Sequence, residues 1–389
     1  MIAIKNGKII TPNEIVEGKI LLIEEGKIVG FSDNAKGAER VVNAHGRWIM
    51  PGLIDIHSDK FEQYIQPRPT SQIDFEFALK VFERDLLSVG ITTMYHSISL
   101  LKNEFFGKSM IRTKGNVIKI ANLLANIHNR NHLIHHRFHL RLEIDNIESF
   151  DLVKNLIQKE KINLLSFMDH TPGQGQYSDL AIYRETISKL SEKEVNEKGF
   201  EYILNYHKNK EIFSCEQLVE LTELAHANKI AVASHDDDTK GKLELNKRIG
   251  VDISEFPITL EIAKLAREYG YYTVVGAVNI LRGNSHTGNL SATEAILEDC
   301  ADIICSDYYP GAVLQSIFYM HNNYKIPISK MVNKATLNPA KATKTDQHYG
   351  SIELGKKADI LIVEELDNYP VITHVFIDGR TTSRIEYRR

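Results

Sequence analysis

The stretch Pro51-Gly52-Leu53-Ile54-Asp55-Ile56-His57-Ser58-Asp59 decides how the rest of the chain is read. An apolar run closes here on an imidazole and a carboxylate two positions apart. Side chains of a strand alternate with period two, so a strand would put His57 and Asp59 on one side and Ser58 on the other. That pair can grip one cation. Outward from it, short apolar runs alternate with longer amphipathic segments, the pattern of repeated βα units around a parallel sheet. Strand candidates fall at 48–57, 91–96, 139–144, 163–170, 230–235, 253–258, 273–279 and 302–307. Eight parallel strands predict an α/β fold, a closed (β/α)8 barrel of the TIM type, with its chemistry at the C-terminal strand ends.

Those ends are His57/Asp59, Glu143, Asp169/His170, His235, Glu255, Asn279 and Asp307. A single polar residue after an apolar run is usually the start of a loop, but a barrel gathers all of these into one mouth. Imidazoles and carboxylates together suit zinc, manganese or iron. We expect two divalent cations per chain, one held by His57 and Asp59 and the second by His170 and His235, with Glu143 bridging. Glu143 could instead pair with Arg141 or Arg137, and period two lets only one of Asp169 and His170 face inward. Asp307 is the expected general base, a carboxylate placed to take a proton from water activated by a cation. It can also touch the metal. The acidic run Asp236, Asp237 and Asp238 reads as solvated, with at most a supporting role behind the imidazoles. His128, His132, His135, His136 and His139 read mostly as solvated or interhelical histidines on a helix and turn before the third strand.

Both chain ends have a different texture. Short strand patterns broken by turn formers fill the first fifty residues and return in Ala358-Asp-Ile-Leu-Ile-Val and Val371-Ile-Thr-His-Val-Phe-Ile. We therefore expect residues 1–50 plus 350–389 to build a small β-sandwich-like domain beside a 51–349 barrel. With 389 residues, 43% hydrophobic and 25% charged, the chain has the composition of a globular protein. A net charge of -4 gives no global attraction for nucleic acid or an anionic membrane. Cys215, Cys300 and Cys305 form no CxxC pair, which fits a reducing compartment rather than a disulfide scaffold. With no signal-peptide core and no long apolar run, the expected location is cytoplasmic.

The opening Pro51 to Asp59 motif after an N-terminal β module resembles the amidohydrolase superfamily, with Asp59 in place of the second histidine of its usual His-x-His. Within it the chain is most similar to the PhnM family, the diphosphatases of the carbon–phosphorus lyase pathway. The resemblance is carried by 57–69, by Ser166-Phe-Met-Asp-His-Thr-Pro-Gly-Gln-Gly-Gln176, by Ala233-Ser-His-Asp-Asp237, by Arg282-Gly-Asn-Ser-His-Thr-Gly-Asn289 and by Ser306-Asp-Tyr-Tyr-Pro310. It implies a metal-dependent hydrolase that cleaves α-D-ribose 1-methylphosphonate 5-triphosphate to the 5-phosphate and pyrophosphate. The expected partner is thus a small phosphorylated sugar phosphonate, with homo-oligomers possible. A triphosphate needs donors that cradle oxygens, and the 282–289 segment offers Arg282, Ser285, His286 and two glycines whose backbone N–H groups can approach an anion. Arg68, stiffened between Pro67 and Pro69, and Asn279 complete the candidate substrate contacts. The competing expectation is an amidohydrolase cleaving a C–N bond in a cyclic amide or N-acyl compound, since a fold does not fix a function.

Overall fold

A computed structural model describes residues 1–68, 70–102, 110–127, 131–177, 179–190, 197–283 and 289–388. Eight parallel strands run in chain order around one sheet: Leu53–Ser58, Ile91–Leu100, His135–Glu143, Leu164–Met168, Ala231–His235, Ile253–Glu255, Tyr272–Gly276 and Ile303–Cys305. A parallel bridge from Ser58 to Asp307 joins the last strand to the first. Asp55 reinforces the seam, its Oδ1 accepting from the backbone N–H groups of His57 at 3.3 Å and Ser306 at 3.1 Å. This wholly buried carboxyl is pushed up to about 6 by desolvation, which outweighs the bonds from Ser306 and His57. All eight expected strands are present.

Parity along each strand divides two cores. Leu164, Ala231, Ala233, Ile253, Val274 and Ile303 pack together inside the barrel, while Leu165, Val232, Val275 and Ile304 face the helices outside. The expected 48–57 strand is in fact two. Trp48–Pro51 belongs to another sheet, and Gly52 turns the chain into Leu53–Ser58. The turn is tight: a Cβ on Gly52 would stand 2.2 Å from Thr92 Oγ1 and 2.3 Å from its Cγ2. Gly52→Ala should therefore destabilise the protein by ~1–3 kcal/mol, the usual cost of overpacking. Thermal unfolding checks this, and adding Thr92→Ala should recover part of the loss; an unshifted Tm in Gly52→Ala would refute the steric argument.

Two smaller sheets flank the barrel. One is ordered Lys27–Ser32, Ile20–Glu24, Ile2–Lys5, Arg40–Asn43. The other interleaves both chain ends: Arg380–Arg384, Tyr369–Ile377, Ile360–Leu366, Trp48–Pro51, Lys8–Ile10 and Ile15–Val16. Among the described residues no helix is long and apolar enough to cross a membrane.

Candidate metal centre and active site

The first barrel strand does not keep its period to the end. Asp55 pairs with Met94 and Ser58 with His96, so three steps on one strand match two on the other. Such a bulge re-aims side chains. It turns His57 inward although Ile54 and Ile56 also line the interior. Ser58 ends the strand, and Asp59 stands beyond it at the start of the short helix Lys60–Ile65. The expected same-face strand pair is therefore not formed by simple alternation. Asp59 reaches the site by a different route, its N–H bonding to the Asp307 carbonyl at 3.0 Å while the Asp307 N–H bonds to His57 O at 3.0 Å.

His57 lies in the centre. Its Nδ1 is 2.7 Å from Glu255 Oε1, and its ring centroid is 5.3 Å from that of His139 and 5.4 Å from that of His235. Burial, then the Arg141 guanidinium and His235, hold the His57 pKa well below the usual histidine range, so the ring is neutral. With Nδ1–H given to Glu255, Nε2 keeps a lone pair for a cation. His139 is pushed down to about 3 by burial against the opposing pull of Glu255, with its Nδ1 3.0 Å from Ile56 O and its Nε2 3.0 Å from Ser166 Oγ. One ligand atom each from His57, His139 and Glu255 lie within 4.8 Å of one another.

The third and fourth strands supply the next pair. The His170 backbone N–H donates to Glu143 Oε1 at 2.8 Å, and its Nδ1 lies 2.6 Å from Oε2. Burial pushes the Glu143 carboxyl up, but His170 more than offsets it and the net shift is downward. Glu143 thus pairs with His170, not with Arg141 or Arg137. Asp169 is turned to Thr171, Gln174 and Lys210. The His170 ring is 6.3 Å from that of His235. Asp307 adopts a left-handed φ of 61° after the last strand, and burial, with the Asp59 carboxylate adding to it, pushes its pKa up to about 7.

Residues from strands one, three, five and six and from the loops after strands one, four and eight meet at one mouth. The amidohydrolase family profile matches residues 48–382. This chain belongs to the amidohydrolase family. The amidohydrolase is 31% identical to the α-D-ribose 1-methylphosphonate 5-triphosphate diphosphatase of Escherichia coli (strain K12), across 97% of this chain and 99% of that one. A crystal structure of an amidohydrolase resembles it with a TM-score of 0.65 at 16% identity, covering 100% of both chains. The L-hydantoinase (dihydropyrimidinase) of Arthrobacter aurescens gives 0.64 at 14% identity, covering 98% of this chain and 95% of the other. These two structural likenesses show the barrel fold alone.

Members of this family bind divalent metals, and the donors present fit such an ion. Asp59 Oδ1 and Glu255 Oε2 are buried without a hydrogen-bond partner, as is His235 Nδ1. The last lies 3.0 Å from Asp236 Oδ2 but is not aligned for a hydrogen bond. Unpartnered buried carboxylate oxygens are costly unless something positive meets them.

Several expectations need correcting. The acidic run is not solvated: Asp237 is wholly buried and accepts from Ser234 Oγ at 2.6 Å, Ser254 Oγ at 2.5 Å and Asn246 Nδ2 at 2.8 Å. Asp236 is buried against His235. His135 and His136 sit on the third strand, not on a helix or turn before it, and so extend the expected 139–144 strand backwards. His128 lies outside the described residues. His136 faces outward to Glu83 at 3.2 Å, whereas His139, three residues on, faces the barrel interior. Asn279 does not end a strand; it lies half-buried on the helix Ala277–Arg282. Arg282, at the end of that helix, and Arg68, bridged to Ser71, are both exposed. Ser285 and His286 lie outside the described residues. Glu255 is among the expected strand ends but has no expected role, and His139 and Arg141 are not expected at this centre although 139, 141 and 143 share one parity.

Proposed function

We propose that this amidohydrolase cleaves α-D-ribose 1-methylphosphonate 5-triphosphate to the 5-phosphate and pyrophosphate. The observation that carries the reading is the 31% identity to the Escherichia coli diphosphatase, which runs nearly end to end in both chains. His57, Asp59, Glu143, His170, His235 and Asp307, joined by His139 and Glu255, are the proposed holders of two divalent cations, zinc, manganese or iron. Such cations supply Lewis acidity, lowering the pKa of water to ~7 in favourable cases and neutralising charge on phosphoryl oxygens.

The chain's own groups divide the remaining work. Asp307 accepts the proton of the attacking water at its carboxylate, in reach of His57 through their paired backbones. Glu255 fixes the His57 ring by accepting from Nδ1. Glu143 does the same for His170. Attack falls on the α-phosphorus, and pyrophosphate leaves. Asn279, Arg282, Arg68, Ser285 and His286 are kept as proposed substrate contacts. Turnover of the metal-loaded enzyme in H2(18)O tests this directly. The label should appear in the sugar 5-phosphate and not in pyrophosphate, with ATP a poorer substrate and an amide panel inert. Amide hydrolysis without pyrophosphate release from the triphosphate would defeat the reading.

A further inference from the structure

Arg141 lies on the inward register of the third strand, between His139 and Glu143. It is half-buried at the mouth. Its Nε donates to Met168 Sδ at 3.1 Å, and its Nη2 is 3.3 Å from His235 Nε2. Neither partner is a carboxylate. Among the described residues no carboxylate oxygen comes within 4.0 Å of the Arg141 guanidinium. Arg112 shows the ordinary alternative, its Nε shared between Glu62 Oε1 at 3.1 Å and Oε2 at 2.9 Å.

A guanidinium has five N–H donors and keeps its charge at any working pH. The charge of Arg141 is felt at Asp307 and Glu62 from beyond hydrogen-bonding distance, but a half-buried guanidinium with no carboxylate in direct contact leaves donors that an anion arriving with the ligand can take. The position is stranger still beside imidazoles that suit a cation. Metal ligation at His235 would remove one of the two acceptors Arg141 now has and leave its terminal N–H groups to the substrate. We propose that Arg141 is a specificity-determining anion contact, donating to a phosphoryl oxygen beside the metal ligands and thereby favouring phosphorylated substrates over uncharged amides. The choice of a phosphoryl group rests on the diphosphatase reading; the need for an anion does not.

The test compares metal-loaded wild type, Arg141→Met and Arg141→Lys. Calorimetry with inorganic phosphate should show affinity about 10–100-fold weaker in Arg141→Met, the effect of losing a charge-assisted hydrogen bond. Arg141→Lys should recover part of it, since an ammonium lacks the planar fork. KM for the triphosphate should rise by a similar factor, with metal content and Tm unchanged. Equal phosphate affinity and equal KM in wild type and Arg141→Met would overturn the proposal and leave the diphosphatase reading standing. Loss of phosphate binding in Arg141→Met, from a wild type that hydrolyses no triphosphate, would support the anion contact and sink the diphosphatase reading. Malonate losing more affinity than phosphate would overturn the phosphoryl assignment.

Discussion

Asp307→Asn is expected to lower kcat by about 10²–10⁴-fold, the range over which a positioned general base contributes. The substitution is unusually clean. Asp307 sits at a φ of 61°, a left-handed conformation that asparagine tolerates better than almost any other residue with a side chain. Its backbone bond to His57 O does not involve the carboxylate, so the barrel seam should survive. Single-turnover rates and metal content measured on the same preparation decide the matter. A fall in bound metal parallel to the fall in rate would make Asp307 chiefly a ligand, not a base.

Glu255→Gln should weaken metal affinity by about 10–100-fold, as is common when a partner of a ligating histidine is lost. Glu255 is wholly buried, its Oε1 is 2.7 Å from His57 Nδ1, and its Oε2 lies 3.9 Å from His139 Nε2 without a hydrogen bond. A neutral amide keeps the volume but removes the negative charge that offsets a cation and that fixes the His57 ring. Competition with a chromophoric chelator measures the constant, and circular dichroism checks the fold. Unchanged affinity would reduce Glu255 to a polar filler of the barrel.

The barrel was legible because an apolar run bounded by polar ends is what a parallel strand under helices must look like. Strand ends also pointed to the mouth at which His57, His170, His235 and Asp307 gather. What escaped was local. The bulge between Asp55 and Ser58 has no sequence signature, so alternation misplaced Asp59. His135 and His136 looked like part of a helix and turn, yet counting back by two from Glu143 selects Arg141 and His139 as inward and leaves His136 outside. Asp237 looked solvated because charge is a surface habit; only its three donors, Ser234, Ser254 and Asn246, could show otherwise.

The sheet that interleaves both chain ends sets a timetable for the protein's birth. Trp48–Pro51 has Lys8–Ile10 on one edge, but its other edge is completed only by Ile360–Leu366. A ribosome adding ~5–20 residues per second leaves that strand half-paired for roughly fifteen seconds to a minute. Throughout that interval the edge is a template for wrong partners, including another nascent copy. Nascent chains stalled before Ile360 should therefore recruit chaperones that chains released after Leu366 do not.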